Sequence, residues 1–167
     1  MTRNNPVDPP GNGLRHPVVI CMFALWVLND HFLKAAFGNA ITGKLSDVAG
    51  LIVFPVFLVA IAEWIGFWTH KPAPCSRAIL MVSLVGTGLF FFMLNLSTAF
   101  SDGVSLLLGG VQWPFRTGWA WLSGDRIPEL TSVHSTPDWT DALTLPALWV
   151  PWRLERSRLM RKTNALS

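Results

Sequence analysis

Between Asp47 and Glu63 the chain runs for fifteen residues without a charge, inside the longer apolar stretch LSDVAGLIVFPVFLVAIAEWIGFW from Leu45 to Trp68. A helix of about 20 residues crosses the roughly 30 Å hydrocarbon core of a bilayer, and a helix satisfies its own backbone polar groups where no water is present. A stretch of this length and apolarity therefore reads as a membrane span, tilted and able to kink at Pro55. Composition agrees: 51% hydrophobic residues, 14% charged residues and a mean hydropathy of +0.40 lie outside the range of ordinary soluble domains. Nine Trp and eleven Phe with no Tyr add the aromatic excess typical of the headgroup level.

Three further segments follow the same logic. Residues 17–37 begin with the charge-free run VVICMFALWVL, and residues 78–100, AILMVSLVGTGLFFFMLNLSTAF, carry no charge at all. A fourth, residues 137–152, is short, holds Asp138 and Asp141, and is interrupted by Pro146 and Pro151. The expected fold is all-α: a four-helix transmembrane bundle with spans at about 17–37, 45–68, 78–100 and 137–152. A long outer loop or interfacial helix separates spans three and four, because residues 101–136 mix Leu, Trp113, Phe115, Trp119 and Trp121 with Gly and Pro. A re-entrant segment is the alternative there. Residues 1–16 are rich in Pro, Asn and Gly and are expected to form a disordered leader, and residues 153–167 a basic tail. Cleavage of the first span as a signal peptide is disfavoured, since Asn29-Asp30-His31 follows it instead of small residues.

Basic residues orient the bundle. Arg3 and Arg15 precede the first span, His70, Lys71 and Arg77 lie between the second and third, and Arg153, Arg156, Arg158, Arg161 and Lys162 follow the fourth. In the other two loops acids offset or outnumber the bases. Both termini are therefore expected inside, and the tail reads as a membrane anchor instead of a nucleic-acid site. Cys21 and Cys75 have no metal-ligand spacing, and a disulfide between them is not expected on the reducing side.

This topology sends the polar residues to one face. Asn29, Asp30, His31 and Lys34 end span one; Lys44, Ser46 and Asp47 begin span two; Asn95, Ser97 and Thr98 end span three; His134, Asp138 and Asp141 begin span four. Ionisable groups at membrane depth cost about 2.5 to 3.5 kcal/mol each and normally pair or line a cavity. Each also has an ordinary explanation. Ser46-Asp47 and Ser135-Thr136-Pro137-Asp138 have the form of helix starts, Lys44 can snorkel, and Asn95 can bond a neighbouring helix. Glu63 is expected to pair with His70, Lys71 or Arg15, and Ser83, Gly86, Thr87 and Gly88 to permit close packing. Asp30 resists such treatment, because it stands near the negative end of its helix, although Lys34 at i+4 can neutralise it.

The candidate catalytic residues are Asp30, His31, Asp47, Asp138 and Asp141. A metal site would draw on His31, His134, Asp30 and Asp47, and an anion or lipid-phosphate site on Lys34 and Lys44. Proton coupling through Asp30, Asp47 and His31, or a purely structural cluster in an accessory, partner-binding subunit, are the other classes open. No nucleotide-binding loop, nucleophile elbow, haem motif or dinucleotide fingerprint is present, so no cofactor can be assigned. The partners indicated are the bilayer and another membrane protein or a second copy; nucleic acid is not.

At NDHFLK, ITGKLSDVAGLIVFP and PDWTDALTLPAL the chain resembles a group of small bacterial multi-pass membrane proteins bearing N-D-H-x-L-K, T-G-K-L-S-D-x-A-G and a late D-x-x-D. The likeness covers spans one, two and four. It implies a bacterial inner-membrane protein and brings no established activity with it. A fainter similarity is to VanZ-like membrane proteins, which also carry acidic, His and Lys residues at span ends. Here ALTLPAL stands where an Asn and a Gly usually follow the late D-x-x-D.

Overall fold

In the computed structural model, which describes residues 9–69, 77–132 and 137–166, every regular element is helical. A 3-10 turn, Asn12–Arg15, leads into α1 (Pro17–Phe37), α2 (Ala40–Trp68), α3 (Arg77–Leu96) and α4 (Thr98–Ser123). A 3-10 helix, Trp139–Leu148, then runs into α5 (Trp149–Leu166). By length and composition α1, α2 and α3 can each cross a membrane. The chain divides into two compact units: one from the described parts of Met1–Leu89 and Leu143–Ser167, the other Phe90–Ala142.

In the first unit α2 is the central element, and its start is set by a cap that hydropathy does not reveal. Gly38 closes α1 in the left-handed region at φ 44°, where a Cβ would be strained. Asn39 Oδ1 then accepts from the backbone N–H groups of Ile41 and Thr42, each at 3.1 Å, while Thr42 Oγ1 accepts from Asn39 N–H at 3.2 Å. This reciprocal cap starts α2 at Ala40, five residues before the expected Leu45. Ser46 and Asp47 are therefore interior helix residues and not a helix start, because Asn39 already satisfies the first orphan donors.

Two apolar clusters flank α2. Val53 and Val56 pack on Val19 of α1, with Leu14, Met22, Trp26 and Leu154 around them. Val59 packs with Leu80 and Leu84 of α3 and Leu159 of α5, bordered by Ile79, Leu148 and Trp152. Of the small residues on α3, Ser83 and Thr87 are buried, and a Cβ on Gly88 would meet Leu148 Cδ1 at 3.0 Å, whereas one on Gly86 would meet nothing within 4 Å. Outward, Ile20, Phe23, Leu28 and Phe32 of α1 and Val82, Val85 and Leu89 of α3 are each more than half exposed. An apolar exterior on helices of this length is a surface made for lipid.

Residues 9–16 depart from the expected disordered leader. Gly11 turns the chain at φ 75°, Asn12–Arg15 form the 3-10 turn, and Gly11 and Gly13 are buried. Residues 1–8 lie outside the described residues, as do Cys75, His70, Lys71 and His134. The expected tail, residues 153–167, belongs from Arg153 to Leu166 to α5.

In the second unit Ser97 caps α4, accepting from Phe100 N–H at 3.3 Å, so α3 ends at Leu96 and not at Phe100. The expected outer segment is largely this 26-residue helix, closed by Gly124 at φ 74°. Residues 125–132 run back along it: Trp113 Nε1 donates to the Pro128 carbonyl at 2.9 Å and an Arg116 guanidinium N–H to Thr131 Oγ1 at 3.1 Å. Gly109 lies directly against the Thr131 carbonyl, where a Cβ would have no room. Asp138 Oδ1 accepts from Thr140 N–H at 2.9 Å and so caps the 3-10 helix. The expected fourth span thus takes two forms, ten 3-10 residues rising about 20 Å and then the start of α5.

Candidate functional site

The polar residues of NDHFLK are built on a widened helical turn. Over Asn29–Leu33 the backbone of α1 forms a π turn, and the Lys34 N–H donates to the Asn29 carbonyl five residues back. Such insertions are rare and are found disproportionately at working positions of helices. The turn lets Asn29 enter the seam with α2 while Asp30 and Lys34 stay at its edge.

Asn29 is completely buried. Its Nδ2 donates to the Thr42 carbonyl and to Ser46 Oγ, both at 2.6 Å, and its Oδ1 is buried with no hydrogen-bond partner among the described residues. Ser46 Oγ in turn donates to Asp30 Oδ1 at 2.6 Å, and the Lys34 ammonium stands 2.8 Å from the same oxygen. A continuous chain therefore runs from the buried amide through the Ser46 hydroxyl to a neutralised carboxylate. Each link is a group that would be costly in hydrocarbon alone. Together they tie α1 to α2 by two interhelical hydrogen bonds from Asn29 and one from Ser46.

The structure thus brings together Asn29, Asp30, Lys34 and Ser46. Asp30, without an ordinary explanation in the sequence, is held by an acid-before-base pair along its own helix and by a hydroxyl from α2. His31 is exposed on α1 and joins none of these bonds. Lys44 and Asp47, one turn apart on α2, are half-buried and each already engaged. They lie roughly 160° and 100° around the helix from Ser46, away from the seam that Thr42 and Ser46 form with α1. Asp138 and Asp141 belong to the second unit, where the Asp141 N–H donates to the Asp138 carbonyl at 2.9 Å. Asn95 Nδ2 donates to the Phe91 carbonyl of its own helix at 3.0 Å, and its Oδ1 accepts from the Asp138 N–H at 3.5 Å. Among the described residues no three His, Cys, Asp or Glu side chains come together to hold a metal ion.

A second polar centre was not anticipated. Glu63 accepts from the Arg158 guanidinium through one oxygen and from Gly11 N–H at 2.8 Å through the other. Arg158 Nε is also 3.4 Å from Glu155 Oε2. Glu63, Glu155 and Arg158 are 4%, 2% and 6% exposed, so this is a buried ionic network. Of the partners expected for Glu63, His70 and Lys71 lie outside the described residues and Arg15 is exposed; a cation it does meet is Arg158, read as part of a basic tail. Gly13 lies against the Glu155 carboxylate and the Arg158 guanidinium, which pins the N-terminal segment to α2 and α5. The signal in the sequence is helical spacing. Pro151, Glu155, Arg158 and Leu159 fall at i, i+4, i+7 and i+8, one buried stripe hidden among arginines.

No family model, no curated protein and no solved structure matches the chain.

Proposed function

We propose that the chain is an accessory, partner-binding subunit of the bacterial inner membrane, with both termini cytoplasmic and the Asn29–Lys34 cluster opening to the outer side. The observation that carries this reading is the closure of the cluster on its own members. Asp30 is matched by Lys34, Ser46 links the two helices, and the lysine that would anchor an anion is already neutralised. Such an arrangement fixes α1 against α2 and holds no activated nucleophile or metal set among the described residues. Support for the common side of the termini comes from the N-terminal segment, which packs through Gly11 and Gly13 against Glu63 and the basic helix α5.

The second reading is a membrane enzyme or binder acting on a lipid-linked phosphate or other anion. In its favour, the Lys34 and Asp30 side chains remain 43% and 40% exposed, within reach of a ligand. Asp30→Asn and the charge swap Asp30→Lys/Lys34→Asp separate the two. On the accessory reading Asp30→Asn lowers stability in detergent, the swap recovers part of it, and a protein that co-purifies stoichiometrically with the wild type stays bound to the swapped variant. Unchanged stability of Asp30→Asn together with loss of a co-purifying phospholipid or metal would overturn it.

A further inference from the structure

The arginines of α5 have three different fates. Arg158 is buried in the Glu63–Glu155 network. Arg156 stacks on Trp152, its guanidinium carbon 4.9 Å from the ring centroid. Arg153 and Arg161 have no acidic partner among the described residues, and both line one groove of about 290 Å³ beside the start of α1. Trp149, Arg153, Ser157 and Arg161 stand at successive i+4 positions, so a single stripe of α5 presents ring, guanidinium, hydroxyl and guanidinium to this groove. Trp149 holds Arg153 at 5.0 Å from its ring centroid, and Ser157 Oγ donates to the Arg153 carbonyl at 2.8 Å.

The opposite wall is His16. Its Nδ1 accepts from Val18 N–H at 3.3 Å, which in the neutral ring places the proton on Nε2 and makes that atom a donor. His16 is also the N-cap of α1, where the helix dipole adds positive potential. Three donors and a dipole of one sign, in a groove near the lower end of ligand-pocket volumes, match a compact oxyanion. Its level matches too, because α1 begins its apolar run at Pro17, one residue beyond His16.

We propose that this groove binds a phosphate-bearing anion, gripped by Arg153, Arg161 and His16. Two sources carry that chemistry, the headgroup of an anionic lipid and free phosphate. The site is distinct from the Asn29–Lys34 cluster and stands whichever function that cluster serves.

The test uses the full chain in detergent, titrated with phosphatidylglycerol, with phosphatidylcholine and with inorganic phosphate, and read by native mass spectrometry and by the melting midpoint. Wild type should retain phosphatidylglycerol in preference to phosphatidylcholine. Arg153→Gln and Arg161→Gln should each weaken it about tenfold, the weight of one charge-assisted contact, and Arg156→Gln, which removes the same charge outside the groove, less than about twofold. Arg161 is exposed and outside the buried network, so its variant reports binding free of folding effects. Displacement of the lipid by inorganic phosphate assigns the site to the phosphate group alone; lipid retention that phosphate leaves untouched assigns it to the headgroup in place. Equal losses in all three variants would reveal diffuse charge attraction and overturn the proposal, as would absence both of any preference for phosphatidylglycerol and of any stabilisation by inorganic phosphate.

Discussion

Ser46→Ala isolates the link between α1 and α2. The Ser46 hydroxyl accepts from Asn29 and donates to Asp30, both at 2.6 Å, at a position only 8% exposed where water does not take its place. Interhelical hydrogen bonds in membranes average about 0.6 kcal/mol and reach about 1.7. Two such bonds set the range at about 1 to 3 kcal/mol. The lower half applies, because Asn29 keeps its bond to the Thr42 carbonyl and Asp30 keeps Lys34, so no charge is stranded. The expected loss is therefore about 1 to 2 kcal/mol, measured by reversible unfolding in mixed micelles titrated with dodecyl sulfate. In a double-mutant cycle Asn29→Ala and Ser46→Ala should couple by about 0.5 to 1.5 kcal/mol. A Ser46→Ala protein within about 0.3 kcal/mol of wild type, or strictly additive variants, would refute the claim that this chain of bonds fixes the helix pair.

The buried network gives a larger and oppositely structured effect. Arg158→Met leaves Glu63 and Glu155 without that cation and should cost about 3 to 5 kcal/mol, whereas Arg158→Met with Glu63→Gln and Glu155→Gln should recover most of it. The same unfolding assay reads both, and a single variant as stable as the triple one contradicts the network's role. Gly13→Ala should destabilise by about 1 to 3 kcal/mol, since its Cβ collides with the Glu155 carboxylate, while Gly43→Ala, facing open space in α2, should be neutral or gain up to about 1 kcal/mol. Gly109→Ala should dislodge residues 125–132 from α4, seen as faster proteolytic cleavage in that segment with the melting midpoint of the first unit unchanged.

Hydropathy identified α1, α2 and α3 because lipid imposes length and apolarity residue by residue, without reference to any neighbour. It misplaced the start of α2 because a cap is a local bond pattern, and Gly38-Asn39 with Thr42 outweighed the Ser46-Asp47 pair that resembles one. That residues 101–136 hold a helix was legible as one of the alternatives, yet its full extent through Pro114 to Ser123 was not, since Pro and Gly count against helix in any reading by propensity. Asp30 and Lys34 were paired from spacing alone, because i,i+4 neighbours meet on any helix. Ser46 as the third member could not be found that way: it is sixteen residues distant and reaches Asp30 only after the Gly38 turn folds α2 back on α1.

By itself, then, the sequence determined a helical chain for a membrane and the within-helix pairing of its most exceptional acid. Only the tertiary structure decided which polar groups share a seam. It set Glu63 in a buried network with Arg158, divided the arginines of α5 between that network and an open groove, and gave the glycines of the N-terminal segment a packing role. The physical reason is common to these cases. Burial in a bilayer is a property of each residue, whereas the partner that makes a buried charge tolerable is supplied by a helix distant in the chain.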